Sequence, residues 1–335
     1  MRPPRPRSVA ILALTGGGIM ARFTTAVLER LQDWRSVPVG GNPARLPVRE
    51  AFEVMAGTSA GALCVAGLLM GRTPAELSAM FDEEGPKIFP DRGWRGKLRW
   101  AFKAKYERGP LEDAVARAMG DADPELGELD GIVAFPAIDE TNGQPVVFTN
   151  VNPVHRSIKL RDAVLASASA PTYFPAHRIA QTGRRYVDGG LYANAPDLCA
   201  VMIARQTWPH LALSDLHLVS IGTTAVSLKS PYGDDHPGAA GLLSWATRPP
   251  ARLLTLAMRS QTDHVMDLLP QMDLADFIRI DALLDAAEQE KLELDNASAH
   301  ARQALARAGV SAVAALDSVA SRRLRTIIGR QRWSA

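Results

Sequence analysis

The chain is 335 residues long, 47% apolar and 22% charged, with a formal net charge of +2. That length accommodates one large α/β domain with elaborations, and the apolar content excludes a disordered chain. A charge so near neutrality excludes a general affinity for nucleic acid, so local clusters must carry any argument about partners.

In chain order, residues 1–7 are basic and Pro-rich like the start of a signal peptide, but the apolar run that follows is too short for a signal core. No segment has the length and apolarity of a membrane span. The expectation is a cytoplasmic protein, peripheral at the inner membrane when it meets lipid. Residues 8–14 are an apolar run bounded by glycines, which suits a buried strand. Behind it Phe23, Ala26, Val27, Leu28 and Leu31 recur at helical spacing. Residues 36–50, rich in Pro, Gly and Asn, read as a loop. Residues 51–56 read as a second strand and 60–70 as a small-residue helix, with room for only a tight turn between them. A repeated strand–turn–helix unit argues for a mostly parallel sheet with helices on both faces.

Thr73, Pro74 and Glu76 mark a helix start: Thr as N-cap, Pro at the first helical position, Glu at the third. Further strands are expected at 131–138, 145–150 and 216–221. Residues 229–240 read as an exposed loop, and from about 251 onward the pattern is helical to the Arg-rich end. The chain reads as one domain, with a motif-bearing core at 8–222 and a helical elaboration at 240–335. Cys64 and Cys199 lie in separate apolar runs and read as buried thiols; no metal-ligand spacing appears, and neither metal nor cofactor is expected.

Gly57, Thr58, Ser59, Ala60 and Gly61 form a Gly-x-Ser-x-Gly pentapeptide between the second strand and its helix. This is the context of a nucleophile elbow, where a sharp turn lifts the Ser oxygen clear of the backbone. The helix N-terminus then aims N–H groups at an oxyanion. A turn that matters only for packing is the other reading. Gly16, Gly17 and Gly18 also stand between strand and helix, and their amides can form a concave anion site. They lack the Gly-Lys-Ser/Thr ending of a phosphate loop, although a plain flexible turn stays open. Asp188, Gly189 and Gly190, taken alone, read as a turn.

These motifs, in this order and together with Ala168, Ser169, Ala170, Pro171, Thr172, Tyr173, Phe174 and Pro175, resemble the patatin-like phospholipases. The matched stretches span residues 8–222. The resemblance implies a three-layer α/β/α fold with a mostly parallel central sheet and a helical C-terminal region. It also implies a Ser–Asp dyad without a catalytic histidine. Ser59 would be the nucleophile and Asp188 its base. The amides of Gly16, Gly17, Gly18 and Ala60 would hold the oxyanion, with Gly57, Gly61, Gly189 and Gly190 supporting the turns. The implied chemistry is release of fatty acids from membrane phospholipids through an acyl-enzyme. One departure stands out. Thr15 occupies the family's Asp position, and Met20 the position of its usual cation. A conventional triad is formally available because His210, His217, His264 and His300 all follow Asp188, but none stands in a recognisable motif.

Residues 87–108 interleave Lys87, Arg92, Arg95, Lys97, Arg99, Lys103, Lys105 and Arg108 with Phe89, Trp94, Trp100, Phe102 and Tyr106. This suits contact with an anionic membrane surface. It equally suits a solvated helix whose aromatics pack inward. In the C-terminal third, residues 254–265 and 277–281 resemble the patatin-like effectors of bacterial CBASS antiphage systems. That likeness implies activation by a cyclic di- or trinucleotide, with assembly into a homo-oligomer as one route. A constitutive housekeeping lipid hydrolase, and a non-enzymatic binding or storage protein on the same fold, are the alternatives.

Overall fold

The computed structural model describes residues 5–39, 42–90, 103–224, 252–282, 284 and 292–330. The expected loop at 229–240 and the central part of the basic aromatic segment, 91–102, lie outside the described residues.

The strands are β1 (Val9–Leu14), β2 (Ser36–Val39), β3 (Asn42–Arg45), β4 (Val54–Gly57), β5 (Ile132–Asp139), β6 (Gln144–Phe148), β7 (His177–Ile179), β8 (Arg184–Asp188), β9 (Leu216–Ile221) and β10 (Asp276–Ile280). The helices are α1 (Ala21–Trp34), α2 (Ala60–Leu69), α3 (Pro74–Ile88), α4 (Gly109–Met119), α5 (Leu160–Ala168), α6 (Gly190–Ala193), α7 (Asp197–Thr207), α8 (Arg252–Leu268), α9 (Ala299–Ala314) and α10 (Ser318–Ile328).

The main sheet runs β10-β9-β1-β4-β5 in parallel, then turns antiparallel where β8 and β6 pair with β5 and β7 pairs with β8. β1 lies between β9 and β4, and its alternate residues feed two cores. Ala10, Leu12 and Leu14 join α1, α2, α3, α5 and α9 on one face. Val9, Ile11 and Ala13 join α7 and α8 on the other. A strand covered on both faces needs no polar positions, which is why residues 8–14 read as one apolar run. The two cores make the three α/β/α layers.

The capping box at Thr73 and Glu76 forms as expected. Glu76 N donates to Thr73 Oγ1 (3.2 Å) and Thr73 N to Glu76 Oε2 (2.7 Å). Three local departures are physical. Residues 48–51 form a 3₁₀ turn, so β4 starts only at Val54. The expected loop at 36–50 contains the small antiparallel pair β2–β3. The C-terminal region, otherwise mostly helical, contributes β10 as a parallel edge strand on β9. Its five residues are too few to display a period of their own among helices, and Ile278 and Ile280 are buried while Asp276 is not. Among the described residues no single helix is long and apolar enough to cross a membrane.

Candidate active site

Ser59 sits between β4 and α2 with φ +56° and ψ −124°. A non-glycine residue held at positive φ costs about 1–3 kcal/mol and persists only where its surroundings over-determine it. Here they do. A Cβ on Gly57 would stand 2.4 Å from the carbonyl of Gly61, and one on Gly61 would stand 2.4 Å from the carbonyl oxygen of Leu14, so only glycines let strand and helix approach this closely. Ser59 N donates to Ser167 Oγ (3.1 Å), and Ser167 Oγ donates on to the Pro136 carbonyl (2.6 Å). Thr58 Oγ1 donates to the Ala193 carbonyl (2.6 Å), tying the elbow to the segment after Asp188.

Asp188 ends β8, and its amide donates to the Ser169 carbonyl (3.0 Å). Its Oδ1 accepts from Gly190 N (2.7 Å), while Oδ2 is buried without a closed hydrogen bond among the described residues. Ser59 and Asp188 line the same cavity. Burial pushes the Asp188 carboxyl up to about 6, and the nearby Ser59 hydroxyl and the Gly190 amide oppose that rise. The Ser59 hydroxyl is thus near enough to stabilise the carboxylate, but the bond is not fully formed. Catalytic hydrogen bonds commonly tighten only with substrate.

The three glycines do not play equal parts. Gly16 N donates to the Asn194 carbonyl (3.0 Å), so it is already committed and is not available to an oxyanion. Gly18 lines the cavity beside Ser59 and adopts φ +55°, a region that favours glycine. Ala60 is the first residue of α2, where helix amides lack intrahelical partners. Met20, at the usual cation position, is buried. Arg22, the nearest arginine, instead donates to Asp82 (3.1 Å) and Ser78 (3.0 Å).

The histidines stand elsewhere. His210 contacts the Pro6 carbonyl at 3.3 Å, His217 pairs with Asp276 at 2.7 Å, and His264 and His300 are exposed. None of the four lines the cavity that holds Ser59 and Asp188.

That cavity is about 60 Å³ and almost wholly apolar, walled by side chains such as Leu63, Phe81, Ile88, Phe174 and Leu254. The described ends of the basic aromatic segment join this wall. Phe89 meets Tyr106 edge-on at 5.3 Å and Phe174 at 6.0 Å. Tyr106 donates to Asp295 (2.6 Å), which also pairs with Lys105; Lys87 pairs with Glu84 (2.9 Å), and Arg108 donates to the Pro175 carbonyl (3.0 Å). Phe89 and Tyr106 therefore pack inward. Cys64 is buried and Cys199 half-buried; both are free, and burial raises both thiols, Cys64 to about 12 and Cys199 to about 11.

Sequence reasoning missed Ser167 and Asn194. Ser167 lies in a run of small residues on α5 that offers no motif, and Asn194 follows the Asp-Gly-Gly turn without a pattern of its own.

The sequence profile of the patatin-like phospholipases matches residues 12–197. That is more than half of the chain, and it includes Ser59, Asp188 and the glycines around them. The chain belongs to the patatin-like phospholipase family. A cGAMP-activated phospholipase of Vibrio cholerae serotype O1 is 30% identical over 322 residues, covering 90% of this chain and 89% of its own. Another cGAMP-activated phospholipase, from Escherichia coli strain TW11681, is 28% identical over 91% of this patatin-like phospholipase and 88% of its own length. Patatin-like protein 2 of Oryza sativa subsp. indica is 30% identical, but over 59% of this chain and 53% of its own.

Proposed function

We propose that this patatin-like phospholipase cleaves membrane glycerophospholipids by a Ser59–Asp188 dyad and is switched on by a cyclic nucleotide. The observation that carries the catalytic part is the pairing of a strained Ser59 with a buried, incompletely bonded Asp188 carboxylate in one apolar cavity. Asp188 takes the Ser59 proton as Oγ attacks the ester carbonyl. The oxyanion is held by the Gly17, Gly18 and Ala60 amides, each such donor being worth roughly 3–4 kcal/mol of barrier. Collapse breaks the ester C–O bond, and the departing alkoxide takes the proton back from Asp188 as lysophospholipid leaves. Water, deprotonated by Asp188, then attacks the acyl-enzyme; the Ser59 Oγ–acyl bond breaks, Oγ takes the proton back from Asp188, and the fatty acid is released.

Activation is supported by the relatives named above. The cGAMP-activated phospholipases align along nine-tenths of this chain, whereas the plant protein aligns along 59% of it. The size of the acyl cavity supports it too. At about 60 Å³ it is less than half of the ~150 Å³ that holds one benzene, so a fatty acyl chain needs the wall to open. A resting site this narrow suits a cytoplasmic phospholipase that works peripherally at the inner membrane in antiphage defence. The basic side chains of the 87–108 segment that are not engaged within the fold then supply the membrane contact, its inward-packed Phe89 and Tyr106 anchoring the segment, and a homo-oligomer is the active assembly.

The test follows fatty-acid release from anionic phospholipid vesicles with and without cGAMP. Wild type is expected to release fatty acid only with nucleotide, and Ser59→Ala not at all. Release by Ser59→Ala refutes the nucleophile; full release without nucleotide refutes the switch.

A further inference from the structure

A second cavity, of about 380 Å³, lies beside the first, and the dyad chemistry makes no use of it. It opens at the carboxyl ends of β1, β9 and β10, lined there by Thr15, Thr223, Thr224, Arg279 and Asp281. The strand order β10-β9-β1-β4-β5 carries the chain from β1 to β4 and β5 on one side of β1, and later to β9 and β10 on the other. The cavity therefore occupies the switch point of the parallel half, where open α/β sheets bind their ligands.

Its polar groups are incompletely satisfied. Thr224 and Asn194 are each 6% exposed, and among the described residues Thr224 Oγ1, Asn194 Oδ1 and Arg259 Nη1 have no hydrogen-bond partner, although Arg259 Nε donates to Asp263 (3.0 Å). Buried polar atoms left unpaired cost free energy, and a ligand that pairs them removes that cost. Thr224 is also a β-branched residue at φ +81°, a strained conformation held by its amide donating to Asp281 Oδ1 (2.9 Å).

The lining selects among ligands. Arg259 and Arg279 face Asp263 and Asp281, so the charges balance and a bare anion gains little. A ligand that brings both anionic oxygens and N–H or O–H donors suits guanidiniums, carboxylates and threonine hydroxyls together. That is the chemistry of a nucleotide.

The cavity also touches the dyad. α8 is a shared partition: Leu254 faces the acyl cavity, Thr255, Arg259 and Thr262 face the polar one, and Met258 faces both. A Cβ on Gly190 would stand 3.1 Å from Asp188 Oδ1, 3.1 Å from Met258 Cε and 3.3 Å from Asn194 Oδ1. The polar cavity thus rests directly on the residue whose amide orients Asp188.

We infer that the cavity at the carboxyl ends of β1, β9 and β10 is the activator site, taking a cyclic dinucleotide and acting on the acyl cavity through α8. This rests on the reading that a cyclic nucleotide activates the chain. The structure adds where the nucleotide binds and which wall it moves.

The experiment titrates cGAMP into the full chain by calorimetry and follows vesicle hydrolysis in parallel, for wild type, Thr224→Val and Arg259→Gln. Val keeps the β-branched shape at 224 and removes only the hydroxyl. The expected result is binding weakened at least ~10-fold in each variant, with the activation midpoint raised by the same factor. Melting curves identify a variant that has not folded, and the other then decides. Wild-type affinity in the folded variants overturns the site and leaves activation intact. Neither binding nor activation of wild type overturns the activation reading itself. Displacement of cGAMP by glycerophosphoglycerol at matched concentration makes the cavity a lipid-headgroup subsite and overturns the nucleotide assignment.

Discussion

At the scale of single residues, the proposed base Asp188 governs the expected pH dependence. Burial raises its carboxyl from an ordinary value of 3.8 to about 6. The base must be ionised to accept the Ser59 proton, so hydrolysis of a soluble short-chain ester is expected to fall away below about pH 6. A profile flat down to pH 4.5 contradicts that role. The same shift affects stability. Between pH 3.8 and about 6 the folded chain binds more protons at this group than the unfolded chain does. Stability is therefore lost as pH rises through that window, by roughly 3 kcal/mol at this one site. Asp188→Asn escapes the loss. It is expected to melt higher than wild type at pH 7.5, with the difference vanishing near pH 4, while losing activity. An unchanged melting temperature at pH 7.5 contradicts the buried, charged carboxylate.

At the scale of elements, the site is a junction of β4, α2, β5, α5 and α6, and Ser167 is one of its fasteners. Ser167→Ala leaves the buried amide of Ser59 and the carbonyl of Pro136 without their partner. The expected cost is about 1–3 kcal/mol of stability. Activity is expected to drop through kcat more than KM, because the elbow, not the acyl cavity, loses its support. Equal changes in kcat and KM contradict this.

The elements also show what was legible in the sequence. β1, α1, the 73–76 capping box and β9 follow from patterns of a few residues and stand where those patterns put them. The turns at Ser59 and Asp188 were legible because they need glycine, and glycine is visible in a sequence; the pairing of the two residues as a proposed dyad came only from the family resemblance. β10 was not legible, because five residues show no decisive period and what makes them a strand is the open edge of β9. Nor was the committed amide of Gly16. Three adjacent glycines look equivalent, and only the fold brings the Asn194 carbonyl to one of them. The polar cavity is a product of tertiary placement, drawing on residues from 15 to 294 that share no local signature.

At the scale of the whole molecule, the parallel half of the sheet presents two adjoining cavities at the carboxyl ends of its strands. One is apolar and holds Ser59 and Asp188; the other is polar. On the proposed reading the narrow acyl cavity holds back the resting enzyme, and a ligand widens it only by as much as it prefers the wider form. A 100-fold activation needs about 2.7 kcal/mol of such preference. Everything in this account depends on Ser59 being activated by Asp188 rather than by a histidine. The most direct measurement is the cGAMP-stimulated rate of fatty-acid release by Asp188→Asn, set beside single Ala variants of His210, His217, His264 and His300. The account predicts a loss of about 10²–10⁴-fold for Asp188→Asn and measurable turnover in every histidine variant. Wild-type turnover by Asp188→Asn, with complete loss in one folded histidine variant, would contradict it.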